Sequence, residues 1–520
     1  MAINRMMKFS IAGSCLLMFG ILFGFMTFPK LLKGGIHKMV NLKPGTDVRA
    51  LWSKIPFEID FKIYLFNVTN PDEIKSGAKP IVREVGPYFF EEWHEKNDLI
   101  DDDEEDTVTY SPKNTFIFNP KKSNGLTGEE ELMIPHIFIL AMIFATLREK
   151  PSAIPLINKA INSIFKSPEN VFVKAKAMDL MFRGLPIDCS VTDTAGSAVC
   201  SLLKANTDDL IVDDPDHFRF ALLGAKNGTT SKNRIKVLRG VKHQNDIGVV
   251  TELNGKKKMS VWNDSKCDSY EGTDGYVFHP YLYAEEDIVS FAPDLCRSIA
   301  AYTESTFKKN GLLVNRYTAW LGDPVKHPEQ KCYCPTSGCL KAGMMDLHKC
   351  VGVPLVASHP HFFRADEEYL KTVDGLSPNA DKHMIFIDFE PFSGTPLEAQ
   401  KRLQFNIWMH KVEKVKIMKN FPEAMLPLFW VEEGLVIPDS FVKQVKMLHM
   451  VVKVMKWLTW IKILAGLGMI GYAGFLYYQS TQGSKKVEIT KPPKFDNGYK
   501  SQVSTLDANN LRAQIPPSID

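Results

Sequence analysis

The chain has 520 residues, of which 45% are hydrophobic and 24% charged, and its formal net charge is +3. Such averages also suit a soluble globular protein, so composition alone assigns no class. The near-balanced charge and the lack of an aromatic–basic cluster exclude nucleic acid as an expected partner.

Residues Phe9–Phe28 carry no charge. As a helix rising about 1.5 Å per residue they cover roughly 30 Å, the thickness of a bilayer core. A cleaved signal peptide would have a shorter apolar region ending in small residues. Here the run ends in Phe28-Pro29-Lys30, which predicts a retained transmembrane helix over 9–28 after a short tail, 1–8.

The next segment alternates. In Phe57–Val68 the residues Ile59, Phe61, Ile63 and Leu65 fall on one face and Glu58, Asp60 and Lys62 on the other, the period of a half-buried strand. Shorter strand signals follow at Thr115–Phe118, Val249–Leu253, Leu312–Tyr317 and Met384–Phe389, with turn pairs such as Asn124-Gly125 and Asn254-Gly255. The acidic run Asp101–Asp106 reads as a solvated loop between strands. Residues 129–184 read as helical: Leu132–Leu147 is almost wholly apolar, and Ile154, Ile157, Ile161 and Ile164 recur at helical spacing. Pro135, His136 and the closing charges make a third membrane span a poor fit, so this segment is expected to form a helical cap.

A second apolar stretch, 457–478, has interfacial Trp457, Trp460, Tyr477 and Tyr478, and its Lys462 lies close enough to the end to snorkel. The predicted organisation is therefore an ectodomain over 29–456 between two spans, followed by a polar tail, 479–520, that looks disordered and has no acidic dileucine signal. Lysines flank both ends of both spans, so the positive-inside rule does not orient the chain. The sequons Asn67-Val-Thr69, Asn227-Gly-Thr229 and Asn263-Asp-Ser265 do, because all lie between the spans. So do the cysteines. Of 9, only Cys15 lies in a span; Cys189, Cys200, Cys267, Cys296, Cys332, Cys334, Cys339 and Cys350 share the central region, as disulfides in an oxidising compartment would. The Cys332-Tyr-Cys334 spacing suits structural zinc poorly.

Some patterns imitate chemistry. Gly466-Leu-Gly468-Met-Ile-Gly471 matches a dinucleotide fingerprint but lies in a span with no preceding strand, so close helix packing explains it better. Gly20 and Gly24 form a GxxxG that would let the spans pack on each other or on partner helices. His359-Pro-His361 lacks an acidic ligand at suitable spacing and reads as a loop or strand edge. The sequence has no P-loop, G-x-S-x-G or H-E-x-x-H; no enzyme activity, metal or cofactor is expected.

Several stretches carry a resemblance. Tyr64-Leu-Phe-Asn-Val-Thr-Asn-Pro-Asp-Glu73, Gly86-Pro-Tyr88, Gly272-Thr-Asp-Gly275, Asp294-Leu-Cys-Arg-Ser298, His359-Pro-His-Phe-Phe363, Asp374-Gly-Leu-Ser-Pro378, Asp388-Phe-Glu-Pro-Phe-Ser-Gly-Thr395 and Lys401-Arg-Leu-Gln404 are similar to the class B scavenger receptor family. That family includes a fatty-acid translocase and a lysosomal integral membrane protein. Leu42-Lys-Pro-Gly-Thr-Asp-Val-Arg49, Leu126-Thr-Gly-Glu-Glu130, Ile134-Pro-His136, Phe182-Arg-Gly184, Gly394-Thr-Pro396 and Leu428-Phe-Trp-Val-Glu-Glu-Gly434 resemble its insect sensory neuron branch.

The resemblance implies an α+β membrane protein: a large β-barrel-like ectodomain with an apical helical bundle, anchored by two transmembrane helices. It implies the pairs Cys267–Cys332, Cys296–Cys350 and Cys334–Cys339, and leaves the pairing of Cys189 with Cys200 open. A hydrophobic tunnel is expected from the bundle toward the membrane, with Ile137, Phe138, Ile143, Phe144 and Lys166 as expected ligand contacts. Neither tail carries the cysteines that are lipidated in the fatty-acid translocase. The implied function is a plasma-membrane receptor on the dendrite of an olfactory neuron, with both termini cytoplasmic. It would capture a long-chain lipid or pheromone and deliver it to an odorant receptor and co-receptor, with an odorant-binding protein as a further partner. A general lipid-uptake receptor and a sorting or adhesion receptor for a protein ligand are the competing readings.

Overall fold

The computed structural model describes residues 2–487. The predicted tail, 479–520, falls largely outside them. Two compact units are present, one built from the terminal helices and the other from Lys30–Val452.

In the first unit, the helix Ala2–Ile21 runs into a π-helical stretch, Leu22–Thr27, and the helix that follows, Phe28–Met39, belongs to the second unit from Lys30 onward. Both this N-terminal helical run and the C-terminal helix are long and apolar enough to cross a membrane. Their glycines explain how they pair. A Cβ on Gly13 would lie 2.9 Å from the Gly466 carbonyl oxygen, and one on Gly24 would lie 2.1 Å from Thr459 Cγ2. Phe9 meets Tyr472 edge-on at 5.2 Å, and Phe25 meets Trp460 at 6.2 Å. The seam is thus antiparallel and closed by small residues, as expected where apolar lipid removes the hydrophobic drive for association. Gly468 and Gly471 take no part, with nothing within 4 Å of a Cβ at either.

In the second unit a 13-stranded sheet dominates. Eleven of its strands follow the spatial order Val250–Leu253, Ile235–Leu238, Thr107–Phe118, Val82–Asp102, Ile59–Val68, Ala424–Val436, Thr395–Met409, Phe386–Glu390, Leu312–Ala319, Arg297–Lys309 and Ile288–Ala292. Met344–Asp346 and Leu355–Ser358 lie off this path, the latter pairing with Thr395–Met409. Every pairing along this path is antiparallel. The end strands do not remain open. The segment Gly272–Asp274 runs between them: Val250 N–H donates to the Gly272 carbonyl at 3.0 Å, Thr273 N–H to Val289 at 3.0 Å, and Phe291 N–H to Thr273 at 2.8 Å. Both exposed edges are satisfied and the sheet closes into a barrel. The turn pairs behave as their chemistry dictates, with φ of 52° and 85° at Asn124-Gly125 and 53° and 75° at Asn254-Gly255.

The cap corrects the sequence reading in part. Ile137–Glu149 and Ile154–Ile164 are helices, but Glu131–Pro135 and Phe172–Lys176 on either side are strands that pair with each other. Pro135, which has no N–H to donate, ends the strand, and the His136 ring nitrogen then accepts from Ile139 N–H at 3.4 Å to start the helix. A third helix, Thr194–Ala205, is held by the disulfide Cys189–Cys200. The acidic run is not wholly a solvated loop. Arg239, with its side chain 4% exposed, binds Asp101, Asp103 and Asp106. The C-terminal helix begins at Asp439, well before the apolar stretch, because Val442 and Val445 pack against Leu312, Val314 and Leu397.

Candidate functional site: the inside of the barrel

Strand register sorts the residues into two faces. One continuous row crosses five strands as Lys401, Glu433, Phe61, Phe90 and Phe118. The alternate row of the two central strands (Arg402, Gln404, Asn406, Trp430 and Glu432) is buried. The segment around Val356–Met384 covers that outer row. Asn406 donates to the Val356 carbonyl at 3.0 Å, Arg402 to the Met384 carbonyl at 2.7 Å, and Trp430 to Glu84 at 2.7 Å. His361 shares Glu84 at 2.6 Å and stacks on His383 at 4.5 Å, so the His359-Pro-His361 stretch belongs to this covering.

On Thr395–Met409 and Ala424–Val436 the inner row behaves differently: Leu403, Phe405 and Val431 are only half-buried, and the side chains of Lys401 and Glu433 retain 45% and 28% of their surface. On Ile59–Val68 and Val82–Asp102 the inner residues Phe61, Ile63, Leu65 and Phe90 are buried, and Asp60, Lys62 and Glu91 on the alternate face are half-buried. Accessible side chains on the inside of Thr395–Met409 and Ala424–Val436, opposite buried ones on the outside, leave a space within the barrel beside these two strands. This follows from strand number, since about eight strands already fill their interior with side chains and wider barrels do not.

Two kinds of residue stand on the inward face of the barrel. An aromatic wall joins Phe61 to Phe116 (4.8 Å between centroids), Phe90 to Phe118 (5.3 Å) and Phe90 to Phe182 (4.7 Å). Beside it lies a polar cluster. Lys401 Nζ is 3.0 Å from Glu433, directly across the strand pair. Burial opposes both charges, but each partner outweighs it, so the lysine is held above and the glutamate below its ordinary range. Glu92, 2.7 Å from His94, is instead pushed up by burial, as is Asp294 despite its exposed surface. Lys96 donates to the Trp52 carbonyl at 2.9 Å, lies over the rings of Trp52, Tyr110 and Tyr276, and is lowered to about 8 by burial.

Of the residues singled out from sequence, three share a hydrophobic cluster with Phe61 and Phe90. Ile137, Ile143 and Phe144 are buried in the main core, and Phe138 is half-buried against Phe165 and Phe220. The Lys166 side chain is 80% exposed and 3.5 Å from Asp188. Asn263 is exposed, whereas the Asn67 and Asn227 carboxamide oxygens accept from Met133 and Phe116 N–H, each at 2.8 Å. Disulfides join Cys267 to Cys332, Cys296 to Cys350 and Cys334 to Cys339, the pairs the resemblance implies. Sequence reasoning missed Glu92, Lys96, Lys401 and Glu433. The available signal was phase: Lys401 alternates with Leu403 and Phe405, Glu433 with Val431 and Phe429, and Glu92 with Phe90, so each charge falls on an apolar face.

A two-span membrane protein of α+β fold, with a closed, disulfide-bonded barrel beneath a helical cap, is the class these features define. The model of the CD36 family matches residues 11–477, and the chain belongs to that family. It is 48% identical over 515 residues to sensory neuron membrane protein 1 of Apis mellifera, covering 99% of each chain. The protein of that name from Manduca sexta is 44% identical over 449 residues, 86% of each chain, and that from Ostrinia furnacalis 46% over 432 residues, 82% of each.

Proposed function

We propose that this chain is a lipid receptor of olfactory neurons that takes long-chain, fatty-acid-derived odorants into the barrel and passes them to an odorant receptor complex in the same membrane. The observation that carries this reading is the half-buried inward row Leu403, Phe405 and Val431 on two adjacent strands of the barrel, set against the buried Arg402, Gln404, Trp430 and Glu432 on their outer face. Each buried CH2 contributes about 0.8 kcal/mol, so a chain of about a dozen carbons gains about 10 kcal/mol before the entropic cost of binding. Transfer then needs no chemical step. The names of the similar insect proteins support the sensory-neuron setting. In this reading the barrel is extracellular, glycosylated at Asn67, Asn227 and Asn263, and both termini are cytoplasmic.

Saturable displacement of a fluorescent long-chain ester from the full-length protein in nanodiscs, with empty nanodiscs subtracted, tests the binding. Absence of saturable displacement contradicts it. Labelling of the protein at the dendritic membrane in antennal sections supports the sensory reading, while broad expression in gut favours general lipid uptake.

A further inference from the structure

We propose that Lys401, Glu433 and Tyr276 form a head-group subsite inside the barrel that selects long-chain molecules with an uncharged oxygen-bearing head, such as an alcohol, aldehyde or acetate ester, over the corresponding carboxylate. The proposal rests on the lipid-receptor reading above and names the ligand class that reading leaves open.

Position gives the first reason. Along their own strands Lys401 and Glu433 share the inward face with Leu403, Phe405 and Val431, which are half-buried, so a molecule with its head at the ion pair lays its tail along these side chains. Both side chains keep surface toward the enclosed space. An ammonium has three donors; Glu433 takes one of them at 3.0 Å. The Tyr276 ring lies 5.9 Å from Lys401 Nζ and 3.5 Å from Lys96 Nζ, and His94 meets it edge-on at 5.5 Å. Buried Glu92 Oε2 and His94 Nδ1 have no hydrogen-bond partner nearby, so the cluster retains polar capacity.

Charge gives the second reason. Lys401 is already matched by Glu433, and Lys96 is committed to the Trp52 carbonyl and three rings. Glu92, Asp274 and Asp294 belong to the same cluster around Tyr276. Among the described residues of the cluster no unmatched positive charge is left for an incoming carboxylate, which would lie beside the ionised Glu433 where screening is weak. A neutral head meets no such repulsion and still accepts from Lys401. An apolar pair of similar volume would generally serve stability as well as this ion pair, which is consistent with its retention for selectivity.

The test is competition for a diazirine-bearing long-chain ester, photo-crosslinked to the full-length protein in nanodiscs. Hexadecyl acetate, hexadecanol, hexadecanoate and hexadecane serve as competitors at a pH where the carboxylate is ionised. Hexadecyl acetate and hexadecanol are expected to compete at least about tenfold better than hexadecanoate. Glu433→Gln, which frees the Lys401 charge, should shift the balance toward hexadecanoate by about tenfold, and Lys401→Met should erase the preference of acetate over hexadecane. Should either single variant fail to fold, the double variant Lys401→Met with Glu433→Met keeps the row apolar and must still bind acetate and hexadecane, without preference. Equal competition by hexadecanoate in the parent protein, or a ratio unmoved by Glu433→Gln, overturns the subsite while leaving the lumen standing. Competition by none of the four overturns the lumen reading and the subsite with it.

Discussion

Replacing Gly272 with alanine isolates the closure of the barrel. Its φ is 78°, and a Cβ there would lie 2.0 Å from the Val289 carbonyl oxygen and 2.3 Å from the carbonyl carbon. Gly255 supplies the control, since its φ is 75° but nothing lies within 4 Å of its Cβ position. The left-handed backbone alone costs about 1 kcal/mol once a side chain is present, and that is the whole expectation for Gly255→Ala. Gly272→Ala adds a collision with backbone that cannot rotate away, about 1–3 kcal/mol, and weakens closing hydrogen bonds worth about 1 kcal/mol each. The total is about 3–5 kcal/mol, in the range reserved for severe substitutions. Urea unfolding of both variants measures the difference, and hydrogen exchange at Val250, Thr273 and Phe291 shows whether the loss is at the seam. Equal stability of the two variants would refute closure through Gly272–Asp274.

Three further outcomes are expected. Burial holds His136, His359 and His383 down to about 4 from an ordinary 6.5, with the His361 ring adding to the effect at His383. The unfolded chain takes up these protons first, so their contribution is complete above about pH 6.5 and falls as the pH drops toward about 4, by roughly 2 kcal/mol per histidine at about pH 5; a Tm unchanged between about pH 7 and about pH 5 would contradict this. Removing the cap disulfide with Cys189→Ser and Cys200→Ser should cost roughly 2–3 kcal/mol and raise hydrogen exchange across Thr194–Ala205, leaving the barrel strands protected. Gly24→Leu should separate the terminal helices, read as loss of an oxidative cross-link between Phe9→Cys and Tyr472→Cys in a Cys15→Ser background.

Local rules revealed the local parts of the fold. The period-two run at Ile59–Val68 and the two Asn-Gly turns need only neighbouring residues to declare themselves. The strand Glu131–Pro135 did not, because its sole partner, Phe172–Lys176, lies beyond two helices and its apolar residues merge with the helix that follows. Barrel closure was equally hidden, for Gly272-Thr273-Asp274 resembles any turn until the two sheet edges arrive on either side. The interior charges were the hardest. A lysine at 401 is an ordinary surface residue by type; only register, placing it opposite Glu433 and in line with Phe61, turns it inward. The histidines at 359 and 361 looked like a loop or strand edge, and the second is held by Glu84, which it shares with Trp430 from a distant strand.

Thiol labelling tests the enclosed space most directly. In a Cys15→Ser background, Val431→Cys places a thiol on the half-buried inner row, and Trp430→Cys places one on the buried alternate row of the same strand. A long-chain alkyl maleimide should modify the first and not the second, and hexadecyl acetate should protect it. Equal labelling of both positions, or labelling of Val431→Cys that no long-chain molecule slows, would contradict a lumen that receives lipid.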